Sequence, residues 1–312
     1  MTPEILTVGR VSVDLYPEQV GVPLTDVRTF RKMLGGSPTN VAVAAARLGR
    51  RTAVVTKVGD DPFGAYVRRA LDEFGVDASF VGTHPGLRTP LAFCEIFPPD
   101  RFPLLFYREP KAPDLELEEA DVGPAASDTA LLWTTGTGLS AEPSRSTTMA
   151  ALRGRGRRPV VIHDLDYRPV FWSSTAEAGR RNREALEFAT VVVGNAEEVA
   201  VTLDRELESE HAAMALLELG PTLAIVKRGR EGVVAATREQ TLAVPPVEID
   251  VVNGLGAGDA FGGALCHGLL AGWPVERTLR YANAAGALVA SRLGCADDMP
   301  TPDEVEELLC AA

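Results

Sequence analysis

Short apolar runs rich in β-branched residues alternate with helical apolar patterns along most of the chain. Strands that alternate with helices in this way form a mostly parallel sheet with helices packed on its faces, so we predict an α/β fold with a three-layer α/β/α core. In the second half the pattern predicts strands over 130–136, 159–166, 190–195 and 223–229, and helices over 174–188, 208–219, 258–271 and 275–291.

The best marked helix of the first half is predicted over 62–74. Pro62 lies in its first turn and Gly75 stands where a C-terminal cap belongs. Before it, PTNVAVAAARLG has a helical pattern and TAVVTKVG the pattern of a strand.

Two segments, 11–34 and 88–112, interrupt the alternation. Both have strand character and prolines but no helix between the strands. Insertions of this kind on an α/β core often pair as a small antiparallel sheet that covers the ligand crevice. We therefore predict a β-sheet lid from these two segments, on a core formed by 1–10, 35–87 and 113–312.

Composition and charge narrow the possible partners. The 312 residues carry a formal net charge of −12, which argues against a nucleic-acid partner because such proteins usually present a basic face. No apolar run approaches the ~18 residues of a membrane span, so no membrane partner is expected. The start MTPEILTVGR lacks a secretory pattern, and we expect a cytoplasmic protein. The four cysteines and four histidines show no zinc-site or disulfide spacing.

The stretch NGLGAGDAFGGAL, 253–265, places three glycines immediately before an apolar helical pattern. Such a loop can turn its backbone N–H groups toward one point and hold an anion at the helix N-terminus. Asp259 would then lie beside that anion, an unfavourable place for a carboxylate unless it takes a proton from an attacking hydroxyl. A flexible turn before a buried helix is the alternative. A dinucleotide fold and a Walker loop are both excluded, because GxGxxG does not follow the first strand and GK[ST] is absent.

A second glycine pair opens the segment LGGSPTNVAVAAARLG, 34–49. Gly35 and Gly36 would allow the backbone to approach a ligand closely, and Asn40 offers a donor and an acceptor to hydroxyl groups. Taken alone, the segment could also be a helix cap.

Together, GGSPTN and the downstream GAGDAF resemble the paired signatures of the PfkB, or ribokinase-like, family of carbohydrate kinases. NAEE at 195–198 and KRGREG at 227–232 match two further elements of that family. The resemblance covers essentially the whole chain. It implies a ribokinase-like fold and a kinase that uses ATP and Mg²⁺.

The resemblance also implies roles for the glycine-rich loop. Asp259 would be the general base that takes the proton from a sugar hydroxyl. The N–H groups of Gly256, Ala257 and Gly258 would stabilise charge on the transferring phosphoryl oxygens.

Further roles follow from the same resemblance. Asn195 and Glu198 would organise Mg²⁺, Glu198 through water, although surface helix capping is the alternative for this pair. Asp14, placed at the end of the first strand, would bind substrate hydroxyls; otherwise it is an ordinary loop acid. The residues expected around the nucleotide are Lys227, Gly229, Gly232 and Asn283.

Members of the family often bind a monovalent cation beside the anion loop, where the motif opens as Asp-Thr-Thr-Gly. Here Asn253 begins the corresponding Asn-Gly-Leu-Gly. An asparagine oxygen can coordinate K⁺ but carries no charge, so K⁺ is a further cofactor that the resemblance suggests rather than requires.

Two arginines indicate the class of sugar. Arg108 lies on the predicted lid and Arg168 follows a core strand, and arginine is suited to bidentate binding of a carboxylate. We therefore expect a small-molecule sugar acid as substrate. The alternative is that each arginine forms a salt bridge, Arg108 with Glu109, and Arg168 with Asp164 or Asp166.

Several segments, among them DLDYRPVFW, are similar to a branch of the family that phosphorylates the C6 hydroxyl of a keto sugar acid in inositol catabolism. A 2-keto-3-deoxygluconate kinase is an alternative, weakened because Asp166 stands where that enzyme usually has asparagine. A fructokinase and a sugar-binding module without catalysis are the others. Because the lid would expose strand edges and one apolar face, a homodimer formed through it is expected.

Overall fold

A ten-stranded sheet lies at the centre of the protein in the computed structural model, which describes residues 2–123, 125–157 and 160–311. The strands of the two sheets are β1 Ile5–Val8, β2 Ser12–Pro17, β3 Phe30–Gly35, β4 Thr52–Gly59, β5 Val76–Asp77, β6 Val81–His84, β7 Leu91–Cys94, β8 Leu104–Tyr107, β9 Leu131–Thr135, β10 Val160–Asp164, β11 Val191–Asn195, β12 Leu223–Lys227, β13 Val233–Ala236 and β14 Thr241–Val244. The helices are α1 Ser37–Arg47, α2 Pro62–Glu73, α3 Glu119–Val122, α4 Ala125–Asp128, α5 Ser144–Arg155, α6 Thr175–Leu186, α7 Ala196–Leu203, α8 Ser209–Leu217, α9 Ala257–Leu270, α10 Val275–Ala290 and α11 Pro302–Ala311.

The main sheet has the strand order β14-β13-β12-β11-β10-β9-β1-β4-β5, with β6 also paired to β4. The pairings from β4 through β1 to β12 are parallel, and only β13 and β14 run antiparallel to their neighbours. Every residue of β1 and of β9 is buried. A parallel sheet with helices on both faces requires such burial, and the predicted three-layer core is confirmed.

The predicted core elements agree with the observed ones within about three residues at each end. For the strand predicted over 159–166, the first position lies outside the described residues. Asp61 caps α2, because its carboxylate accepts hydrogen bonds from the N–H groups of Phe63 and Gly64. Gly75 follows that helix with a φ of 76°, as its predicted place in a C-terminal cap requires.

A second sheet has the order β3-β2-β7-β8. Its strands come from the two segments that interrupt the alternation, with Gly35 at the end of β3 as the one residue beyond them. The expected antiparallel pairing holds for β2 with β3 and for β7 with β8, but β2 and β7 are parallel. The reason is that each segment pairs with itself as an antiparallel unit, and the first strands of the two units lie side by side. The boundaries of the lid stay a prediction.

The two faces of the second sheet differ. Side chains alternate between the faces along a strand, and Asp14 and Tyr16 of β2 are buried on the inner face. The outer face carries an edge-to-face aromatic row in which the Phe93 ring lies 5.5 Å from Phe30 and 5.4 Å from Tyr107. Tyr107 is 59% exposed. In the described ranges no helix is both long and apolar enough to span a membrane.

Candidate active site

Both carboxylate oxygens of Asp259 are held by helix α1. Ser37 Oγ donates a hydrogen bond of 2.7 Å to Oδ1, and Asn40 Nδ2 donates one of 2.8 Å to Oδ2. Asp259 lies in the first turn of α9. The two predicted glycine segments therefore meet, and the acid has a fixed orientation.

Small residues bring the two helices this close. A Cβ atom on Gly263 of α9 would lie 2.4 Å from Ala44 Cβ of α1, and one on Gly262 would lie 3.0 Å from Val41 Cγ2. Any larger side chain at Gly263 would push the helices apart, because real Cβ atoms do not approach at such distances. The run FGGAL thus serves the contact between Ser37, Asn40 and Asp259.

The environment of Asp259 makes it a stronger base than an exposed aspartate. Burial raises the pKa of its carboxyl, and the hydrogen bonds from Asn40 and Ser37 oppose that rise without cancelling it. A carboxylate with a raised pKa accepts a proton more readily at neutral pH, as a general base requires.

Gly256 ends the glycine loop at the N-cap of α9, with a φ of 84° in the left-handed region. A Cβ atom there would lie 2.2 Å from Cys295 Sγ, so only glycine fits. The first N–H groups of α9, including those of Ala257 and Gly258, have no partner within the helix and form the positive end of its dipole. This end of α9 can stabilise an anion.

A cavity of about 1000 Å³ opens beside the start of α9. Its volume is at the upper end of the range for small-molecule sites and suits a nucleotide. Pro99 and Asp100, from the second interrupting segment, also line it. The predicted residues that it brings together are Lys227, Gly229, Gly232, Ala257, Gly258 and Asn283.

The Asn283 side chain already forms one hydrogen bond within the protein. Its Nδ2 donates a hydrogen bond of 2.9 Å to the carbonyl oxygen of Pro245, which ties α10 to the loop after β14. The amide oxygen has no such commitment among the described residues, so a hydrogen bond to a ligand would come from that atom.

Lys227, at the end of β12, lies against the anion loop. A Cβ atom on Gly258 would be 3.4 Å from its Nζ. Burial lowers the pKa of the ammonium group, but the carboxylates of Asp164, Glu198 and Asp259 outweigh that effect and the pKa is raised. Lys227 therefore carries a positive charge where a phosphoryl group would be transferred.

Asn195 and Glu198 form a reciprocal cap at the start of α7. Asn195 Oδ1 accepts from the Glu198 N–H at 2.9 Å, and Glu198 Oε2 accepts from the Asn195 N–H at 2.7 Å. The capping that sequence offered as the alternative is present, but Glu198 is buried rather than on the surface. Its second oxygen, Oε1, lies 3.8 Å from Arg168 Nη1 and remains available to a metal-bound water.

Two acids at the end of β10 were not predicted as site residues. Burial raises the pKa of Asp164 to about 7, which Lys227 opposes. Burial also acts to raise the pKa of Asp166, but Arg168 and Arg10 outweigh it and the pKa is lowered. The signal for both was their place after a central strand, since ligands of α/β folds bind at the carboxyl ends of the parallel strands.

Asp14 lies elsewhere than predicted. The first strand ends at Val8, and Asp14 stands in β2, on the inner face of the second sheet. Its Oδ1 accepts a hydrogen bond of 2.6 Å from Ser12 Oγ. Burial raises the pKa of Asp14 to about 6. Asp14 is thus not at the end of the first strand, but it does lie in the segment 11–34 and faces inward from the second sheet.

The glycine pair at 35 and 36 makes its close approaches within the protein. A Cβ atom on Gly35 would lie 2.1 Å from the carboxyl carbon of Asp14, and one on Gly36 would lie 2.4 Å from the carbonyl oxygen of Arg10. Gly36 also has a φ of 100°. The pair makes room for Asp14 and for the start of α1, and its predicted approach to a ligand stays a prediction.

Arg108 and Arg168 each have a carboxylate partner. Arg108 Nη2 lies 2.5 Å from Asp114 Oδ1, a partner that sequence did not anticipate, whereas Glu109 had been the candidate. Arg168 Nη2 lies 3.1 Å from Asp166 Oδ1, one of the two candidates named from the sequence. Both arginines have a further N–H with no acceptor among the described residues, on Arg108 Nη1 and Arg168 Nε.

The side chain of Asn253 is fully buried and both of its polar atoms are committed. Its Oδ1 accepts from the Leu255 N–H at 3.0 Å, and its Nδ2 donates to the Leu293 carbonyl oxygen at 2.7 Å. A monovalent cation needs oxygen atoms that are free to coordinate it. This side chain fits that role poorly.

The model of the pfkB family of carbohydrate kinases matches residues 2–302. The chain therefore belongs to this family, and it is a carbohydrate kinase, an enzyme that transfers a phosphoryl group to an alcohol.

Among its relatives is a 5-dehydro-2-deoxygluconokinase of Geobacillus thermodenitrificans, 34% identical over 98% of this chain and 93% of its own. A protein of the same name from Clostridium perfringens is 32% identical over 98% and 92%. Among solved structures, a fructokinase with bound ATP from Xylella fastidiosa has a TM-score of 0.85 at 28% identity, covering 100% of this chain and 99% of that one. A Vibrio cholerae fructokinase mutant in a form with fructose, ADP and potassium ion bound has a TM-score of 0.85 at 25% identity, over 99% of both chains.

Proposed function

We propose that this kinase transfers the terminal phosphoryl group of ATP to the C6 hydroxyl of 5-dehydro-2-deoxygluconate. The observation that carries the proposal is the position of Asp259, which α1 holds by both oxygens at the N-terminus of α9, beside the large cavity. The relatives named 5-dehydro-2-deoxygluconokinase cover nearly the whole chain and support the substrate.

In the proposed reaction Asp259 accepts the proton of the C6 hydroxyl as the hydroxyl oxygen bonds to the terminal phosphorus of ATP. The bond from this phosphorus to the β-phosphate oxygen breaks, and ADP leaves. The N–H groups at 256–258 donate to the phosphoryl oxygens, and Lys227 adds a positive charge beside them. Asp14 accepts hydrogen bonds from substrate hydroxyls. Asn40 contributes its Oδ1, which is buried and has no donor among the described residues.

The acids around Lys227 fit a hydrated Mg²⁺. Asp164, Glu198 and Asp259 all act on the charge of Lys227, so negative charge is concentrated where a nucleotide would bring its metal. In the described ranges no cluster of three or more His, Cys, Asp or Glu could hold a metal by itself. Mg²⁺ prefers phosphate oxygens and water, and Glu198 would hold one of its waters. When bound, Mg²⁺ offsets the charge of the phosphates. We do not include K⁺, because Asn253 fits it poorly.

The segments 11–34 and 88–112 would act as the lid over the sugar.

The outer face of the second sheet carries a partly exposed aromatic row, which would form a homodimer contact. Phe30, Phe93 and Tyr107 supply that row. Apolar area on one face of a small sheet favours association with a second copy. Light scattering on the wild type and on Tyr107→Lys tests the dimer.

The function is tested by product identification after incubation with ATP and a panel that contains 5-dehydro-2-deoxygluconate, 2-keto-3-deoxygluconate and fructose. We expect the 6-phosphate of the first compound as the main product. The Asp259→Asn variant should lose about 10²- to 10⁴-fold in kcat while it still binds ATP. Preference for fructose would favour the fructokinase alternative, which the 28% identical structure supports. If no sugar is phosphorylated, the alternative of a sugar-binding module without catalysis would be favoured.

A further inference from the structure

Arg10 is a buried arginine with no carboxylate closer than 3.9 Å among the described residues. It follows β1 and is only 8% exposed. Within the part of the chain that the structure describes, the one carboxylate oxygen within 4 Å is Asp166 Oδ2, at 3.9 Å from Arg10 Nη2. The Nε atom is completely buried and has no acceptor in the ranges that the structure describes. A buried charged donor without an acceptor is costly, so this side chain needs a physical explanation.

Two phenylalanine rings fix the position of the Arg10 guanidinium. Its central carbon lies 5.7 Å from the centre of the Phe106 ring and 5.8 Å from that of Phe171. Cation–π contacts at these distances hold the group without using its N–H donors. Phe106 comes from β8 of the second sheet and Phe171 from the segment after β10, so Arg10 is enclosed only where the two sheets meet.

The two other arginines nearby differ from Arg10 because their charges are compensated. Asp114 Oδ1 lies 2.5 Å from Arg108 Nη2, and Asp114 Oδ2 accepts a hydrogen bond of 3.0 Å from the Val11 N–H. Asp166 lies 3.1 Å from Arg168, closer than to Arg10. Both arginines are therefore held by acids of the protein, although each keeps one N–H without an acceptor among the described residues. Arg10 differs because its nearest carboxylate oxygen in that part of the chain is 3.9 Å away, so its charge can serve a ligand.

Two further guanidinium groups, Arg108 and Arg168, act on the charge of Arg10 and repel it. The Arg108 guanidinium also lies against Phe171, with its central carbon 5.1 Å from the ring centre. Burial lowers the pKa of Arg10, and although Asp166 opposes this, the neighbouring Arg168 and Arg108 act in the same direction as burial. An anion placed against Arg10 would relieve that repulsion, and a planar carboxylate matches the two parallel N–H bonds that a guanidinium offers.

We propose that Arg10 is the residue that binds the carboxylate of the sugar acid and determines the preference for acids over neutral sugars. Arg108 and Arg168, each paired with an acid of the protein, lie around it as supports whose charges also act on Arg10. This inference rests on the proposed function. It is consistent with the charge of Arg10, which acts on both Asp14 and Asp259, and with the Arg10 carbonyl, which accepts a hydrogen bond of 3.0 Å from Thr39 Oγ1 in the helix that holds Asp259.

The test compares kcat/KM for 5-dehydro-2-deoxygluconate with kcat/KM for fructose in the wild type, Arg10→Met and Arg10→Lys. The control is Arg101→Met. Arg101 is an exposed arginine of the segment 88–112 that also stacks on a phenylalanine, with its guanidinium 4.2 Å from the Phe97 ring. The rise in melting temperature that ATP causes shows for each variant that the nucleotide site is folded.

We expect Arg10→Met to lose about 10- to 100-fold in kcat/KM for the acid, mainly through KM, and to change far less with fructose. Arg10→Lys should recover part of the loss, because lysine keeps the charge but lacks the fork. Arg101→Met should behave as the wild type. An equal loss with both sugars would overturn the inference, as would an unchanged ratio. If the wild type itself prefers fructose, the proposed function fails before any variant is compared.

Discussion

Asn40 donates its side-chain amide to the carboxylate of Asp259 across 2.8 Å, although 219 residues separate the two along the chain. With the bond from Ser37, it leaves the acid no freedom to rotate away from the start of α9. Helix α1 therefore acts on the reaction without touching the phosphoryl group. Ser37, which sequence did not single out, is a positioning residue of the site.

The Ser37→Ala variant should shift the pH dependence of the reaction. The Ser37 hydroxyl stabilises the ionised form of Asp259 and so lowers its pKa; loss of the bond raises that pKa further. Because the base must be ionised, the acid limb of the kcat profile should move to higher pH, with a loss of roughly tenfold in kcat at neutral pH. A profile that falls in height but keeps its pH midpoint would contradict this role. The matched control is Ser146→Ala, a serine on α5 away from the site.

The Gly256→Ala variant should damage both stability and catalysis. An added Cβ would meet Cys295 Sγ at 2.2 Å, and alanine would be strained at a φ of 84°. We expect a loss of about 2–4 kcal/mol in the free energy of unfolding and a large fall in kcat, because the loop must move.

The Gly272→Ala variant separates the effect of backbone strain from that of the contact with Cys295. Gly272 has a φ of 68°, but nothing lies within 4 Å of its added Cβ. This control should lose about 1 kcal/mol in urea unfolding, from backbone strain alone, and keep its kcat. Equal effects of the two variants on kcat would show that the contact with Cys295 does not determine the conformation of the glycine loop.

The elements of the fold that could be predicted from sequence are those whose apolar pattern is strong. The central strand β9 is buried along its length, and α9 and α10 each bury a long run of apolar positions, so the pattern locates them. In contrast, α5, with the sequence SRSTTMAALRGR, has a weak apolar face and was not predicted. The antiparallel strands β13 and β14 were also missed, because each has only four residues, too few for a distinct pattern.

For the site, sequence motifs identified residues but not their partners. Asp259 and Asn40 were both named, yet only the packing of α1 on α9 shows that Asn40 binds Asp259. Arg10 gave no signal, since a single arginine after a strand is common and its burial between Phe106 and Phe171 is a tertiary property. Sequence offered the neighbouring Glu109 as the salt-bridge partner of Arg108, but the partner in the structure is Asp114.

Activity should depend little on the identity of the monovalent cation. The Asn253 amide already binds the Leu255 N–H and the Leu293 carbonyl, so these atoms do not require an ion to satisfy them. Replacement of K⁺ by Na⁺ or choline at constant ionic strength should leave kcat/KM unchanged. Asn253→Asp removes the donor to Leu293 and adds a charge; we expect it to lose about 1–3 kcal/mol of stability and to gain a response to K⁺. Strong K⁺ activation of the wild type would show this reasoning to be wrong.

The buried carboxylate of Asp14 should lower the free energy of unfolding at neutral and alkaline pH. Burial raises its pKa from an ordinary value of 3.8 to about 6, so the folded state holds the proton more tightly than the unfolded state does. The unfolded chain therefore binds fewer protons between about pH 4 and 6, and stability falls as the pH rises through that window. Above it the cost is constant, about 3 kcal/mol, since one pKa unit corresponds to ~1.4 kcal/mol.

The Asp14→Asn variant should consequently be more stable than the wild type in urea unfolding at pH 8, and the gain should disappear toward pH 4. Asparagine keeps the shape of the side chain beside Gly35 and can still accept from Ser12 Oγ. The same change should raise KM for the sugar, because the charged acceptor is lost. A variant that is less stable at pH 8 would mean that the Asp14 charge is compensated in the folded state, and the acid would then serve structure as well as substrate.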